Sequence, residues 1–428
     1  MSRTRSFGLT VAKLVVAILI LLFALAQPAL RGSAGQLPAG LESRVLGLKE
    51  VNYYPAAAGH TYMWSRFDPA VINRDFARIR ALRANTVRIF VQPSVFGFPT
   101  VHPVMASRLS EVIELAAKHS LRVHLTLFDW WSQYTDIDGS KEWVSSLLSR
   151  YRDDPRIAVV ELQNEVDPRD RAAVAWATTM LPYLSTVLPG TLRTVSVASV
   201  PPEVFASFTR ELRNSPPDFW DYHYYGPAGD AYALLGRIKA LAAPRPLFVG
   251  ETGYSTKAGP GDQAAQEQAQ AAYYRALFTA AAALGLPAPA PWILSDFSPG
   301  GIPPQSPAAD EPAQHGYGLF QANGTPKPAA AVVRRAFSGK LSTPATASAF
   351  TRGFCRRWPG LGSDARSPAP KPSRSPDSFP DREHSAAPFL QHSLQQPTRF
   401  PGTRRRGASS NPSCLAQKLH LVHGVPPE

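Results

Sequence analysis

The stretch Arg156–Val166 reads RIAVVELQNEV and gives the first indication of the fold. Its apolar part, IAVV, suits a parallel β-strand covered on both faces, because such strands are continuous apolar runs. The strand ends in the pair Asn164 and Glu165, after which DPRD predicts a loop. Nothing in a buried apolar strand requires a carboxylate at its end, so Glu165 needs a separate reason.

Similar apolar runs alternate with helix-like segments from Arg44 onward, which is typical of a repeated βα unit. Eight runs are predicted to be strands: Arg44–Val51, Asn85–Val91, Arg122–Phe128, Ile157–Asn164, Arg193–Ala198, Phe219–Tyr225, Leu247–Glu251 and Trp292–Asp296. Apolar spacing predicts helices at Asp75–Leu82, Leu109–Lys118, Lys141–Tyr151, Asp170–Val187, Ala264–Leu284 and Pro328–Phe337. An α/β chain of this pattern predicts a closed (β/α)8 TIM barrel over residues 36–339.

Both ends of the chain differ in composition from this central domain. Residues 1–35 carry basic residues, the apolar run Leu14–Ala26 and an Ala-x-Ala triplet, which together indicate a secretory signal peptide. An uncleaved membrane anchor is the alternative. Residues 340–428 are rich in Pro, Ser and Arg without apolar periodicity, which predicts a disordered tail, either a basic segment that touches anionic polymers or a non-native extension. We expect a monomer that is secreted or anchored to the outer face of the cytoplasmic membrane.

The charge and the cysteines limit the function of the central domain. The formal net charge is +13, but the two ends carry most of it and leave about +1 for residues 36–339. Nucleic-acid binding by the domain is therefore disfavoured. Cys355 and Cys414 both lie in the tail, which excludes thiolate sites in the barrel. Because there is no GxGxxG, Walker A or HExxH pattern, no cofactor and no metal are predicted.

A second glutamate, Glu251, ends the seventh predicted strand in PLFVGET. Active sites of (β/α)8 barrels lie at the carboxyl ends of the strands, so Glu165 and Glu251 are predicted to face each other there. Glycoside hydrolysis needs two such carboxyl groups, one protonated to assist the leaving oxygen and one ionised to attack. Either glutamate alone could cap a helix or pair with an arginine, but two at corresponding strand ends favour a catalytic pair.

Five segments in order resemble the motif series of clan A retaining glycoside hydrolases, most closely the cellulase-like family 5 of endoglucanases and mannanases. They are ANTVRIFV (Ala84–Val91), ELQNEVDP (Glu161–Pro168), DYHYYG (Asp221–Gly226), FVGETGY (Phe248–Tyr254) and PWILSDF (Pro291–Phe297). The resemblance covers roughly residues 44–337. It implies that Glu165 is the acid/base, that Glu251 is the nucleophile and that Asn164 hydrogen-bonds the sugar 2-hydroxyl.

The resemblance also implies substrate-binding roles around the two glutamates. Arg88 would hydrogen-bond the nucleophile and keep it ionised, with a buried salt bridge in the barrel floor as the alternative. His223 and Tyr225 lie two apart on one strand and would both line the site, with Tyr225 donating to the nucleophile. Trp292 would be the platform on which the sugar stacks, with core packing as the alternative.

The third predicted strand departs from the family pattern. Family 5 cellulases commonly end this strand with a histidine, whereas LFDWW places Phe128 and Asp129 there, and His124 lies farther back. Cellulose specificity is therefore in doubt, although catalysis is not. Asp129 is predicted either to contact a sugar hydroxyl or to cap a loop. Trp130 is predicted to bind sugar at the rim, with core packing as the alternative.

These residues predict a retaining β-glycosidase that cleaves a polysaccharide or envelope glycan by double displacement, with its carboxyl groups about 5–5.5 Å apart. A transglycosylase acting on the same bonds and a non-catalytic carbohydrate-binding barrel are the alternatives. The sugar stays open among cellulose, mannan, xyloglucan, β-1,3-glucan and an envelope glycan. Specificity and endo or exo action are expected to depend on the loops Asn52–Asp68, Trp130–Gly139 and Ser298–His315.

Overall fold

The computed structural model describes residues 40–257, 261–306 and 308–341. The predicted signal or anchor segment lies outside these residues, as does nearly all of the predicted tail, so both stay predictions. Within the described ranges, no helix combines the length and the apolar character needed to cross a membrane.

Strands and helices alternate along the chain. The strands are β1 (Glu50–Asn52), β2 (Thr86–Phe90), β3 (Arg122–Thr126), β4 (Ile157–Glu161), β5 (Leu192–Thr194), β6 (Ser196–Val197), β7 (Trp220–Tyr222) and β8 (Leu247–Phe248). The α-helices are α1 (Leu41–Leu46), α2 (Tyr62–Ser65), α3 (Pro69–Ala81), α4 (Pro93–Phe96), α5 (Pro103–Lys118), α6 (Ile137–Leu148), α7 (Arg171–Val187), α8 (Pro202–Glu211), α9 (Ala231–Ala242), α10 (Gln263–Ala283) and α11 (Pro328–Phe337). Two 3₁₀ turns, Ser149–Tyr151 and Pro312–Gly316, complete the set within the described residues.

The strands form two parallel groups, β1 to β5 in chain order and β6 to β8 in chain order. β5 and β6 are one barrel strand interrupted at Val195. Val166 N donates to Ser196 O (3.0 Å), which joins the residues after β4 to β6. The two groups are therefore continuous along this side of the barrel.

The segment after Ala290 closes the ring between β8 and β1. Trp292 N donates to Thr252 O (2.7 Å), just beyond β8, and Leu294 N donates to Asn52 O (3.1 Å) at the end of β1. These bonds make a closed (β/α)8 barrel, as predicted. The eighth barrel segment forms isolated bridges at Pro291 and Ser295 rather than a ladder, so the predicted strand Trp292–Asp296 is not a regular strand.

The first predicted strand, Arg44–Val51, is wrong over its first half. Residues Leu41–Leu46 form helix α1, and β1 covers only Glu50–Asn52. The apolar residues Leu41, Val45 and Leu48 are spaced at i, i+4 and i+7, which is the helical period, and all three are buried. They pack with Val159 and neighbouring strand residues in one apolar cluster. Helix α1 therefore covers the end of the barrel opposite the carboxyl ends of the strands. Helices α8 and α9 were not among the predicted helices.

Aspartates begin several of the outer helices. The side chain of Asp68 accepts from Ala70 N (2.9 Å) at the start of α3, and that of Asp170 accepts from Ala172 N (2.8 Å) at the start of α7. Each satisfies a backbone N–H that has no partner within its helix, which stabilises the helix by roughly 1 kcal/mol. The helices then bury apolar stripes against the strands, and the barrel interior is left to polar side chains.

Candidate active site

Arg88, from the middle of β2, lies inside the barrel and is fully buried. Its Nη1 donates to Glu251 Oε1 (2.6 Å) and to Asn52 Oδ1 (2.9 Å). Its Nη2 donates to Asn164 Oδ1 (3.0 Å), and its Nε donates to Glu161 Oε2 (2.8 Å). The planar guanidinium fork suits such divergent acceptors better than a single ammonium does. The two predicted alternatives for Arg88 are therefore both present, since it contacts Glu251 and also forms a buried salt bridge with Glu161.

Glu251 has a hydrogen bond on each of its carboxylate oxygens. Oε1 accepts from Arg88, and Oε2 accepts from the Tyr225 hydroxyl (2.9 Å). Burial and the charge of Glu251 raise the pKa of Tyr225 well above its ordinary value, so this hydroxyl keeps its proton and donates. Hydrogen bonds of this kind favour the ionised carboxylate, which is the state that a nucleophile needs.

Glu165 has a backbone φ of 51°, a left-handed conformation that is uncommon for residues other than glycine. Its backbone N donates to Ser196 Oγ (2.8 Å), which holds the chain in this conformation. One carboxylate oxygen of Glu165 and one of Glu251 lie within 4.8 Å of each other. This separation fits the roughly 5–5.5 Å of retaining glycosidases and is shorter than the roughly 6.5–9.5 Å of inverting ones.

His223 lies between the two glutamates and is fully buried. Its Nδ1 is 2.8 Å from Glu165 Oε1 and 3.5 Å from Glu251 Oε2. When Glu165 is ionised, Nδ1 can form these contacts only as a donor, which requires that it carry a proton. Burial lowers the pKa of His223, but the charges of Glu251 and Glu165 outweigh burial and raise it above its ordinary value. The imidazole thus keeps a donor aimed at the predicted acid/base.

Four further titratable residues lie inside the barrel beside Arg88, and we name them the interior charge layer: Glu50, His124, Glu161 and Asp221. All four are fully buried. His124 Nδ1 is 2.9 Å from Glu50 Oε2, and Asp221 Oδ1 accepts from the backbone N of Gly250 (2.8 Å).

The interior charge layer carries strongly shifted pKa values. Burial lowers the pKa of His124, but Glu50 and Glu161 outweigh it and raise that pKa to about 9. Burial raises the pKa of Glu161, but Arg88 and His124 bring it well below its ordinary value. Burial raises the pKa of Asp221 to about 7, against the opposing charge of His223.

The motif comparison did not find the interior charge layer, although the sequence contains a signal for it. Each of β1, β3, β4 and β7 has one charged or imidazole side chain of this layer buried in a short strand: EVN, RVHLT, IAVVE and WDY. A lone charged residue in a parallel strand covered on both faces has to find a partner inside the barrel. Searching for such residues would have identified the layer.

Two groups of three described residues have potential metal-ligand atoms within 4.8 Å of one another: Glu165, His223 and Glu251, and His124, Glu161 and Asp221. The Arg88 guanidinium lies 2.6 Å from Glu251 and 2.7 Å from Glu161. It supplies positive charge to both groups, so the site can perform acid–base and nucleophilic chemistry with these side chains alone.

The two glutamates open into a pocket with about 400 Å³ of empty space, part of which is open to solvent. Its lining comprises Tyr54, His60, Phe90, Asp129, Trp130, Asn164, Glu165, Glu251, Trp292, Ala308 and Gln314. Trp292 forms part of the wall, and its Nε1 donates to Gln314 Oε1 (3.4 Å). Five of these residues were not predicted: Tyr54, His60, Phe90, Ala308 and Gln314. All except Phe90 lie in loops that have no family motif.

Asp129 lies in the wall of the pocket and is 3% exposed. Its Oδ2 accepts from Gln92 Nε2 (2.8 Å) and from the Tyr54 hydroxyl (3.4 Å). Burial raises the pKa of Asp129 to about 6, although the Gln92 bond opposes this. Trp130 is partly exposed, and its ring centroid lies 5.2 Å from that of His60. Every predicted site residue is therefore in the pocket wall or hydrogen-bonded to one that is.

Comparison with known proteins bears on this arrangement. No protein-family model matches the chain, and no curated protein sequence matches it. Among solved structures, a GH5_18 protein from Streptomyces cattleya in complex with Manβ1-4GlcNAc has a TM-score of 0.57 and 20% identity, over 70% of this chain and 82% of that one. The exo-β-1,4-mannosidase Op5Man5 from Opitutaceae bacterium strain TAV5 has a TM-score of 0.57 and 20% identity, and the match covers 68% of this chain and 59% of that one. A GH5_18 protein from Bifidobacterium longum subsp. longum, in complex with Manβ1-4GlcNAc, has a TM-score of 0.57 and 18% identity, and the match covers 70% of this chain and 80% of that one.

At these identities the likeness shows the fold. Structures similar to this chain are glycoside hydrolases of the cellulase-like family 5 group, so the resemblance inferred from the five motifs is confirmed at the level of the fold. The chain is an α/β protein with the parallel barrel of those enzymes.

Proposed function

We propose that this protein is a retaining β-glycosidase with Glu251 as nucleophile and Glu165 as acid/base. The observation that carries the proposal is the pair of carboxylate oxygens of Glu165 and Glu251, which lie within 4.8 Å of each other although the two residues follow the fourth and seventh barrel strands. A pair this close favours the retaining spacing of roughly 5–5.5 Å over the inverting spacing of roughly 6.5–9.5 Å.

The mechanism follows from the hydrogen bonds around each carboxylate. Glu251 attacks the anomeric carbon and forms a glycosyl ester, while Glu165 gives its proton to the leaving oxygen. Glu165 then takes a proton from water, which attacks the same carbon and releases the Glu251 carboxylate. Arg88 and Tyr225 stabilise that carboxylate before attack and after release.

Asn164 is oriented by the same arginine. Because Asn164 Oδ1 accepts from Arg88 Nη2, its amide Nδ2 is left to donate to the sugar. A donor beside the acid/base suits the sugar 2-hydroxyl, whose hydrogen bond strengthens as positive charge develops at the anomeric carbon. Asp129, in the pocket wall, would accept from another sugar hydroxyl when it is ionised.

The sugar that we propose to test first is β-linked mannose. Two of the similar structures hold Manβ1-4GlcNAc, and a third is named an exo-β-1,4-mannosidase. Asp129, in place of the histidine common in family 5 cellulases, also favours a substrate other than cellulose.

The test is hydrolysis of a panel of 4-nitrophenyl β-glycosides, including the mannoside, by the wild type and by Glu251→Gln and Glu165→Gln. We expect the Glu251→Gln variant to lose activity by on the order of 10⁴-fold or more, because the nucleophile is removed. Glu203→Gln, an exposed glutamate on α8, is the matched control and should retain wild-type turnover.

Product analysis distinguishes the alternatives. Proton NMR of the first product should show the β-anomer, and an added sugar acceptor should divert only a minor part of the product. A wild type that is inert on every β-glycoside would favour a non-catalytic binding barrel. Transfer to the acceptor as the main reaction would favour a transglycosylase, and a first product in the α-form would contradict retention.

A further inference from the structure

The 3₁₀ turn Pro312–Gly316 carries a polar side chain, Gln314, that the proposed mechanism does not use. Gln314 lines the catalytic pocket together with Glu165, Glu251 and Trp292, and it is 8% exposed. A glutamine amide has an oxygen that accepts hydrogen bonds and a nitrogen that donates them. Whichever of these the protein does not use can be offered to a ligand in the pocket.

The orientation of the Gln314 amide is fixed by Trp292, whose Nε1 donates to Gln314 Oε1 (3.4 Å). An indole N–H is a donor only, so the amide oxygen has to face it and the amide nitrogen has to face away from it. Within the part of the chain that the structure describes, Nε2 of Gln314 has no protein acceptor, and this nitrogen is not enclosed by the protein. Gln314 therefore offers an N–H donor to the catalytic pocket.

This donor lies on the side of the pocket that holds the predicted nucleophile. Trp292 N donates to Thr252 O (2.7 Å), and Thr252 directly follows Glu251 in the sequence. In the proposed mechanism the sugar ring that becomes bonded to Glu251 is the glycone, whereas Glu165 faces the leaving oxygen. Trp292 and the amide hydrogen-bonded to it are therefore beside the glycone ring.

A buried lysine holds the turn that carries Gln314. Lys327 lies directly before α11 and is 1% exposed. Its Nζ donates to Asp296 Oδ1 (2.7 Å), Thr256 Oγ1 (3.1 Å) and Gly316 O (3.1 Å). An ammonium has three N–H donors, so these acceptors use all of them, and Asp296 balances the buried charge. Lys327 thus joins the loop after β8, the eighth barrel segment and the end of the turn.

Other hydrogen bonds hold the same turn against the loop after β8. Ser255 Oγ donates to Ala313 O (2.6 Å), and Thr256 N donates to Gly316 O (3.0 Å). Gln314 therefore lies between two backbone carbonyls that are bound to this loop. Because the turn is held in place before a sugar arrives, less conformational entropy is lost when the amide donates to it.

We propose that Gln314 is a specificity-determining residue that donates from Nε2 to one hydroxyl of the glycone ring, and that Lys327 is the residue that positions it. This inference rests on the proposed glycosidase function. Asn164 is assigned to the 2-hydroxyl, so Gln314 donates to one of the others. A sugar that lacks this hydroxyl leaves the amide without a partner, and a site built in this way discriminates against such a sugar.

The experiment compares 4-nitrophenyl β-mannoside with its 3-deoxy, 4-deoxy and 6-deoxy analogues, or the matching set if the aryl glycoside panel selects another sugar. The value of kcat/KM is measured for the wild type and for Gln314→Met, which keeps a side chain of similar volume but has no donor. We expect Gln314→Met to lower kcat/KM by about 3- to 10-fold more on the parent glycoside than on one of the deoxy analogues. Loss of the Trp292 bond would affect every glycoside of the set alike, so the difference reports on the hydroxyl contact.

The positioning role of Lys327 is tested with the double variant Lys327→Met with Asp296→Asn, which leaves no buried charge of this pair without a partner. Because the turn would no longer be held, we expect the ratio of kcat/KM between the parent and that same deoxy analogue to fall by about 3- to 10-fold, as in Gln314→Met. A loss of stability alone would lower the rates on all glycosides and leave this ratio unchanged. Should the double variant not fold, Thr256→Val removes one acceptor of Lys327 and should lower the ratio in the same direction.

Gln268→Met and Lys239→Met are the matched controls, because both residues are exposed on outer helices, α10 and α9, and both variants should keep the wild-type ratios. A Gln314→Met variant that changes kcat/KM by the same factor on the parent and on every deoxy analogue would overturn the proposal. The positioning role would be overturned by wild-type ratios in the double variant or, in its place, in Thr256→Val. Failure of the glycosidase function itself would differ from both, since the wild type would then cleave no aryl glycoside.

Discussion

The substitution Arg88→Lys keeps one positive charge inside the barrel but removes the planar fork. Arg88 donates to Glu251 at 2.6 Å and to Glu161 at 2.8 Å, and it also holds Asn164. A lysine ammonium is a compact charge at the end of a flexible stem, and its donors do not match this fixed, divergent set of acceptors. At least one of the two buried carboxylates would then have fewer partners for its charge.

The expected magnitudes follow from these contacts. Breaking a buried ion pair costs about 3–5 kcal/mol, because it leaves an uncompensated buried charge. We therefore expect the free energy of unfolding to fall by about 3–5 kcal/mol. We also expect kcat/KM to fall by about 10²–10³-fold, since Glu251 and Asn164 both lose the group that orients them; this corresponds to about 3–4 kcal/mol of transition-state stabilisation.

Unfolding in guanidinium chloride, followed by tryptophan fluorescence at pH 7, measures the first effect, and initial rates on the aryl glycoside measure the second. Arg169→Lys is the matched control, because the side chains of Arg169 and its partner Asp167 are 51% and 45% exposed. Exposed pairs contribute at most about 1 kcal/mol, so this variant should stay near the wild type. An Arg88→Lys variant within about 1 kcal/mol of the wild type and with unchanged kcat/KM would refute the reasoning.

The buried groups with shifted pKa values lead to two further predictions. The pKa of His124 is raised from 6.5 to about 9, so its contribution to stability is complete below pH 6.5 and is lost as the pH rises through 9. The free energy of unfolding should fall by about 3 kcal/mol over that range in the wild type, and this fall should disappear in His124→Gln. Urea titrations at a series of pH values measure it. The same dependence of the unfolding free energy on pH in both proteins would contradict the prediction. The pKa of Asp129 is raised from 3.8 to about 6, so its stabilising contribution is complete below pH 3.8 and is lost as the pH rises through 6. Asp129→Asn should therefore be about 3 kcal/mol more stable than the wild type at pH 8 and similar to it near pH 3.5. Equal stability of the two proteins to heat or urea at pH 8 would contradict the raised pKa of Asp129.

Local patterns accounted for much of the fold and for the central part of the site. The buried strands Thr86–Phe90, Arg122–Thr126 and Ile157–Glu161 lie inside the predicted runs, and α11 has the predicted bounds. The contacts of Arg88 and Tyr225 with Glu251 were also expected from the motifs. The prediction of secondary structure failed for short segments. Leu41–Leu46, for example, is too short for its apolar spacing to distinguish a helix from a strand.

The sequence by itself determined most of the buried strands and the position of Glu165 and Glu251 just beyond two of them, because periodicity and position along a strand are properties of neighbouring residues. Only the tertiary structure decided that Glu165 and Glu251 lie within 4.8 Å of each other, since that distance depends on strand register and on closure of the ring. The contact between the loop after β1 and the loop after the eighth barrel segment could not be predicted from the sequence either. It exists because Gly59 and Gly301, far apart along the chain, let two loop backbones touch, and no local pattern encodes a contact that depends on how distant loops pack.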